Sequence, residues 1–286
     1  MILAFDIGGS RIRAALRQGE QIRPLGEVPT PARDAGAFAE ALAGFLRPGL
    51  HGVALSVPGV IDPETGRGKV ANIPAIDGAD LRETLERRLG LPVLALNDAD
   101  CFALAEAASG AGRGHRVVFG VILGSGIGGG LVIDGRIVSG AGGLTGEWGH
   151  GPVLRAPYDL PCPCGQRGCV ETIGSARGLE RLHLLESGAA LTAPQISAAW
   201  AAGDARACAT IGLWRDLVSG PLAMVVNVLG PSVMPVGGGL SKAPGLIAFL
   251  DQALRARILR RHDSPLLVPA ICGPDAGLLG AAQDAR

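Results

Sequence analysis

RVVFGVILGSGIGGGLVIDGRIV (116–138) holds the reading on which the fold turns. Its apolar opening, 116–123, reads as a buried strand. Gly124-Ser-Gly-Ile-Gly-Gly129 then satisfies G-x-G-x-x-G. A dinucleotide fold needs a helix directly after that loop, with its N-terminus on the pyrophosphate. The next residues are instead LVIDGRIV, with Asp134-Gly135 as the turn signal of a hairpin. The dinucleotide reading fails on that context, and no G-x4-G-K-S/T is present to make a P-loop. A glycine loop between strands is left, whose bare backbone N–H groups can approach an anion.

The same plan stands at the N-terminus. ILAFDI (2–7) reads as a strand, GGS as a turn and RIRAAL (11–16) as the partner strand. Helical spacing runs over 34–46 and 79–90, strands over 51–57 and 91–96, and a helix over 98–110. From about 175 to 229 the pattern is mostly helical. SVMPV (232–236) is a strand before Gly237-Gly238-Gly239 and a helix, LLVPAI (266–271) another strand, and AGLLGAAQDA a closing helix. Strand, glycine loop and hairpin thus recur after residue 116, which predicts two α/β lobes of similar plan across a cleft. The expected division is 1–117, completed by the helix 275–286, against 118–274.

Three glycine loops each come directly after an apolar strand. Asp6-Ile-Gly-Gly-Ser10 adds an acid able to hold Mg²⁺ through water and a hydroxyl near phosphate. Gly237-Gly238-Gly239 would let a flat nucleotide lie against backbone. A tight turn explains any one of them equally well. Asp98 ends LPVLAL beside Asn97, where a helix begins. It reads either as an N-cap or as a base at a strand's carboxyl end that takes the proton of an attacking hydroxyl.

GEWGHGPVLRAPYDLPCPCGQRGCVE (146–171) gathers His150, Cys162, Cys164 and Cys169, a Cys3His set that matches closed, structural zinc. Glu147 and Glu171 flank it and read as carboxylates of a polyol-binding wall or as solvated surface charges. The N-terminus has no basic region before its apolar run, so no secretory signal is read, and the six cysteines do not suggest a disulfide framework. Cys101, Cys208 and Cys272 read as small buried hydrophobes.

The chain has 286 residues, enough for two lobes with a sizeable core. Its 26 basic and 26 acidic residues leave no excess for nucleic acid. Leu217–Ser241 carries no charge over 25 residues, but Pro221, Pro231, Pro235 and the glycine triplet interrupt it. A buried helix, turn and strand are expected there rather than a membrane span.

The runs DIGGS, NDADCFALAE, LGSGIGGGLVIDGRIVSGAGGLTGEWGH and CPCGQRGCVE together resemble the ROK family of bacterial sugar kinases and repressors, from Asp6 to the closing DAGLLGAA. The cysteine knuckle with the preceding E-x-x-H carries most of that likeness. The resemblance implies an α/β, two-lobed actin/hexokinase-like (ribonuclease H-like) fold with the active-site cleft between lobes. It implies ATP-dependent transfer to a sugar 6-hydroxyl with Asp98 as base, using Mg²⁺. Gly59, Asn72, Asn97, Asp98, Gly126, Glu147, His150 and Glu171 match the family's sugar contacts. Asp6, Gly8, Gly9, Ser10, Arg11, Gly126, Gly128, Gly129, Gly130, Gly238 and Gly239 match its nucleotide loops. VPTPARDAGAF, VANIPAIDG and NDADCFALAEA look most like members acting on N-acetylglucosamine, with N-acetylmannosamine, glucose or fructose as alternatives. A cytoplasmic homodimer is implied as well.

The chain departs from the family's pattern in having Ser10 for Thr, Arg11 for Lys and Pro163 for Gly. A repressor of the same family needs a helix-turn-helix ahead of the core. Here the phosphate loop begins at Asp6, so that form is not expected. A sugar-binding zinc protein without catalysis is the remaining alternative, and ATP turnover separates it.

Overall fold

The computed structural model of the protein describes residues 1–19, 21–70 and 72–284. In chain order the first elements are β1 (Ile2–Ile7), β2 (Arg11–Gln18), β3 (Gln21–Pro29), α1 (Ala35–Ala43), β4 (Gly52–Val57), β5 (Val60–Ile61), β6 (Gly68–Lys69), α2 (Leu81–Leu89), β7 (Val93–Asn97) and α3 (Asp98–Ser109). Then come β8 (Val117–Leu123), β9 (Ile127–Ile133), β10 (Arg136–Ile137), α4 (Glu171–Gly174), α5 (Ala176–Ser187), α6 (Ala193–Ala201), α7 (Ala205–Leu229), β11 (Met234–Gly237), α8 (Leu246–Arg255), β12 (Leu267–Pro269) and α9 (Ala276–Asp284). The last two positions of the expected closing helix, 285–286, lie outside the described residues.

Contacts divide the chain into two compact units. The first is Met1–Gly110, Gly130–Gly146 and Cys272–Arg286; the second is Ala111–Gly129 and Glu147–Ile271. Where the sequence expects lobes at 1–117 with 275–286 and at 118–274, the contacts cut at Gly110 and give Gly130–Gly146 to the first unit. Gly130 shows the reason. It lies against α3 so closely that a Cβ would stand 2.8 Å from the Ala103 methyl and 2.9 Å from Asp100 Cα. Gly130→Ala is therefore expected to cost about 1–3 kcal/mol by overpacking, read as a lower midpoint in chemical denaturation; an unchanged midpoint would show that the strand can back away.

The first unit is built on a five-stranded sheet of order β3-β2-β1-β4-β7. β1 is antiparallel to β2 and parallel to β4, and β4 is parallel to β7. Alternation sends Leu3, Phe5 and Ile7 to one face, where α1 and α2 cover them with Phe38, Leu42, Leu81 and Leu85. Both helices start on an aspartate whose side chain takes the N3 backbone N–H, Asp34 from Ala37 and Asp80 from Glu83. On the other face, small residues allow close approach: Ala4 and Ala15 meet Leu278 and Ala282 of α9. Ala54 and Leu96 meet Cys101 and Ala281. β3 is absent from the sequence reading, because Pro24 and Gly26 interrupt its pattern. It sits at the edge of the sheet, where proline is tolerated, opposite an irregularity at Ala14/Ala15.

The second sheet has order β10-β9-β8-β11-β12, and the division between units falls inside β9. β11 runs parallel to β8 and to β12. The β9–β10 connection is the expected Asp134-Gly135 turn, with φ of 51° and 73°. α7 is 25 residues long and runs through Pro221. The sequence expects a break there; instead the buried Val218 and Leu222 hold the helix past the missing donor. Trp214, fully buried, anchors it by donating Nε1–H to the Gly174 carbonyl at 3.0 Å. Among the described residues no helix is long and apolar enough to cross a membrane.

Candidate active site and metal centre

Asp98 is the first residue of α3, directly after β7. The helix is capped by its neighbour. Asn97 Oδ1 accepts from Ala99 N at 2.8 Å and Asp100 N at 3.1 Å, while Nδ2 donates to the Gly59 carbonyl at 2.7 Å. One amide therefore closes the helix and holds the Gly59 turn. The capping alternative for Asp98 falls away, and its side chain is exposed at the carboxyl end of a parallel strand.

The loop after β1 is closed by Gly8 N–H donating to Arg11 O at 2.8 Å, with Thr30 Oγ1 donating to Gly8 O at 2.6 Å. Gly9, Ser10 and Arg11 are exposed, and Arg11 pairs with Glu27. Asn72 lies beside Gly9 at ordinary contact distance. The first unit thus assembles Gly8, Gly9, Ser10 and Asn72 in one place. Asp6, the acid expected to hold magnesium through water, accepts on Oδ2 from the Arg13 guanidinium at 2.5 Å. Any cation brought to Asp6 through water would stand beside that guanidinium.

In the second unit two glycine loops meet. A Cβ on Gly238, whose φ is 89°, would collide with the backbone of Leu123 and lie 2.7 Å from Gly124 N. Both loops leave the carboxyl ends of paired parallel strands, since Gly237 aligns with Ile122. Glu171 Oε2 accepts the Ile127 N–H at 2.9 Å, which ties this acid to the loop of Gly126. Trp148 Nε1–H donates to Gly128 O at 2.9 Å. Gly129 and Gly130 are buried within β9, and Gly130 packs against α3 rather than lining a loop.

His150, Cys162, Cys164 and Cys169 converge, with one ligand atom of each within 4.8 Å of every other. Cys164 and Cys169 sulfurs are 3.7 Å apart, as are Cys162 Sγ and His150 Nδ1. A zinc–sulfur bond of about 2.3 Å gives sulfur–sulfur edges of about 3.8 Å in a tetrahedron. The donor set therefore fits zinc, and no disulfide joins these cysteines. Burial pushes the Cys162 thiol up to about 12 and raises Cys169, while the Gln166 backbone N–H pulls Cys164 down. A bound cation would overcome the first two by removing their protons. The other face of the imidazole meets Glu147, with His150 Nε2 3.5 Å from Glu147 Oε2. That is the carboxylate–histidine arrangement that orients a metal ligand. Burial raises the Glu147 pKa, His150 opposes the rise, and Glu171 adds to it.

Of the isolated cysteines, Cys101 is buried and Cys272 half-buried, but Cys208 is exposed near the start of α7, against expectation. Burial and Glu106 push the Cys272 thiol up to about 12, and burial raises Cys101 well above the ordinary range. In metal-loaded protein, Cys208 is expected to be the fast-reacting thiol towards a maleimide, and Cys208→Ser should remove that phase. A fast phase surviving the substitution would place the reactivity elsewhere.

The sequence did not single out Thr30, Trp148 or Arg13. Trp148 lies inside the E-x-x-H run and could have been noticed as a rare aromatic. Thr30 and Arg13 have no local signal, because their partners come from the register of β1–β3 and from the chain's last segment.

The chain is 36% identical over 302 residues to the N-acetyl-D-glucosamine kinase of Salmonella paratyphi A, covering 99% of this chain and 98% of that one. It superposes on a ROK hexokinase from Thermus thermophilus with a TM-score of 0.87 at 32% identity, covering 99% and 96% of the two chains. A ROK family glucokinase from Streptomyces griseus, in complex with glucose and AMPPNP, matches with a TM-score of 0.77 at 29% identity over 100% and 99%. Residues 2–286 match the pattern of the same family, and the chain belongs to the ROK family.

Proposed function

We propose that this protein is an ATP-dependent N-acetyl-D-glucosamine kinase, moving the γ-phosphoryl group of ATP to the sugar's 6-hydroxyl and releasing ADP. The observation that carries the chemistry is the carboxylate of Asp98, exposed at the carboxyl end of β7 while Asn97 does the capping. In phosphoryl transfer the protein mainly positions the reactants and neutralises charge, so one base and backbone donors suffice. Asp98 accepts the proton of the 6-hydroxyl as that oxygen attacks phosphorus. Gly59, Asn72, Asn97, Gly126, Glu147, His150 and Glu171 are the proposed sugar contacts. The loops at Gly8–Arg11, Gly126–Gly128 and Gly238–Gly239 contact the nucleotide, with magnesium carried on its phosphates.

Zinc on His150, Cys162, Cys164 and Cys169 is structural and fixes the wall that bears Glu147 and Glu171. The protein works in the cytoplasm as a homodimer. The acceptor is supported by 36% identity to an N-acetyl-D-glucosamine kinase along almost the whole of both chains. A second reading, a kinase for N-acetylmannosamine, glucose or fructose, is favoured by the likeness to a ROK hexokinase and glucokinase.

Comparing kcat/KM for the four sugars by ADP release separates the two readings. N-acetylglucosamine should lead by at least about tenfold, the size of difference a pocket for one small substituent provides. Another leading sugar would keep the chemistry and overturn the acceptor.

A further inference from the structure

Glu27, Arg13, Asp6 and Ser56 stand side by side across β3, β2, β1 and β4, each directly opposite the next. The centre of this row is one guanidinium with three acceptors. Arg13 donates to Asp6 Oδ2 at 2.5 Å, to Asp275 Oδ1 at 2.9 Å and to the Pro274 carbonyl at 2.5 Å. Two of those acceptors belong to the turn just ahead of α9. Asp6 is closed in from the helix side too. A Cβ on Gly277 would overlap Asp6 Oδ1 and lie 2.9 Å from Ser56 Oγ. Ser56 Oγ is fully buried with the Cys101 thiol as its polar neighbour. The other cation of β2 near the loop, Arg11, is engaged by Glu27.

The Arg13 and Asp6 side chains are 30% and 22% exposed, so the pair is held at the edge of solvent rather than swinging in it. A charge-assisted fork of this kind neutralises the carboxylate and fixes its direction. A divalent cation held on Asp6 through water would stand beside the guanidinium and be repelled by it.

We propose that Arg13 is a positioning residue that takes the place of a metal at Asp6. It neutralises that acid and moors the start of α9 to the strand that carries the phosphate loop. The divalent cation is then held by the nucleotide's phosphates and not by Asp6. The proposal rests on ATP being the phosphoryl donor.

Mn²⁺ binding to the full-length protein with saturating ADP tests this, with free Mn²⁺ counted by its electron paramagnetic resonance signal. Arg13→Ala should tighten Mn²⁺ by at least about tenfold, within the range of couplings between groups in contact. Asp6→Asn alone should leave Mn²⁺ within about threefold of wild type, and adding it to Arg13→Ala should cancel the gain. Arg13→Lys, which keeps a cation beside Asp6, should stay close to wild type. If it gained as the alanine variant does, the effect would come from disturbed packing and the proposal would fall. It would fall equally if Asp6→Asn alone weakened Mn²⁺ tenfold, or if Arg13→Ala changed nothing. Wild-type protein that bound no ADP would overturn the donor assignment and this proposal together. A failed cycle with ADP bound overturns this proposal alone.

Discussion

Asp98→Asn should lower kcat by about 10³- to 10⁴-fold while N-acetylglucosamine still binds within a factor of about three, the pattern of a lost general base. The substitution keeps the side chain's size and one oxygen but removes the group that takes the proton. It should not unseat α3, because the helix is capped by Asn97, not by Asp98. Denaturation midpoint and sugar affinity therefore serve as controls that the site is intact. Steady-state kinetics with binding measured by calorimetry checks it, and turnover within tenfold of wild type would move the base elsewhere. Asn97→Asp is the informative companion. It preserves the cap but gives up the donor to the Gly59 carbonyl, so it should damage sugar affinity more than helix stability.

Stripping the zinc proposed at His150, Cys162, Cys164 and Cys169 should have the next largest effect. Cys164→Ser, or a strong chelator, should strip the ion and raise the KM for sugar by about tenfold or more, as disturbed outer-shell partners of metal sites do. His150 presents Nδ1 to the sulfur cluster and Nε2 to Glu147, so the ring's orientation sets the carboxylate's. Glu171 is held separately, by the Ile127 N–H. The Glu147 side of the wall should therefore loosen first, and thermal stability should fall with it, because binding energy at such a knuckle is folding energy. Metal content by elemental analysis must accompany the kinetics. An unchanged KM in protein verified as metal-free would break the link between knuckle and sugar wall.

Much of this was legible in the residues, and the exceptions share a cause. The Cys3His spacing, the hairpin at Asp134-Gly135 and the strands at 2–7 and 52–57 are written locally, in turn residues and in side-chain period. β3 was not, since an edge strand can carry Pro24 where a central one could not. Pro221 misled because buried neighbours outweigh one missing donor. Asp98 and Asn97 are both good caps in sequence, and only coordinates say which side chain turns back onto the helix. The Arg13 fork depends on Pro274 and Asp275, more than 260 positions away, so no window of sequence could contain it.

The first unit takes one piece from far along the chain, because α9 covers Ala4 and Ala15 of the opening hairpin. During synthesis the opening hairpin must therefore wait for a helix made far downstream. Until α9 leaves the ribosome, one face of the N-terminal sheet has no roof. A stop codon placed just ahead of α9 would uncover the sheet beneath Asp6.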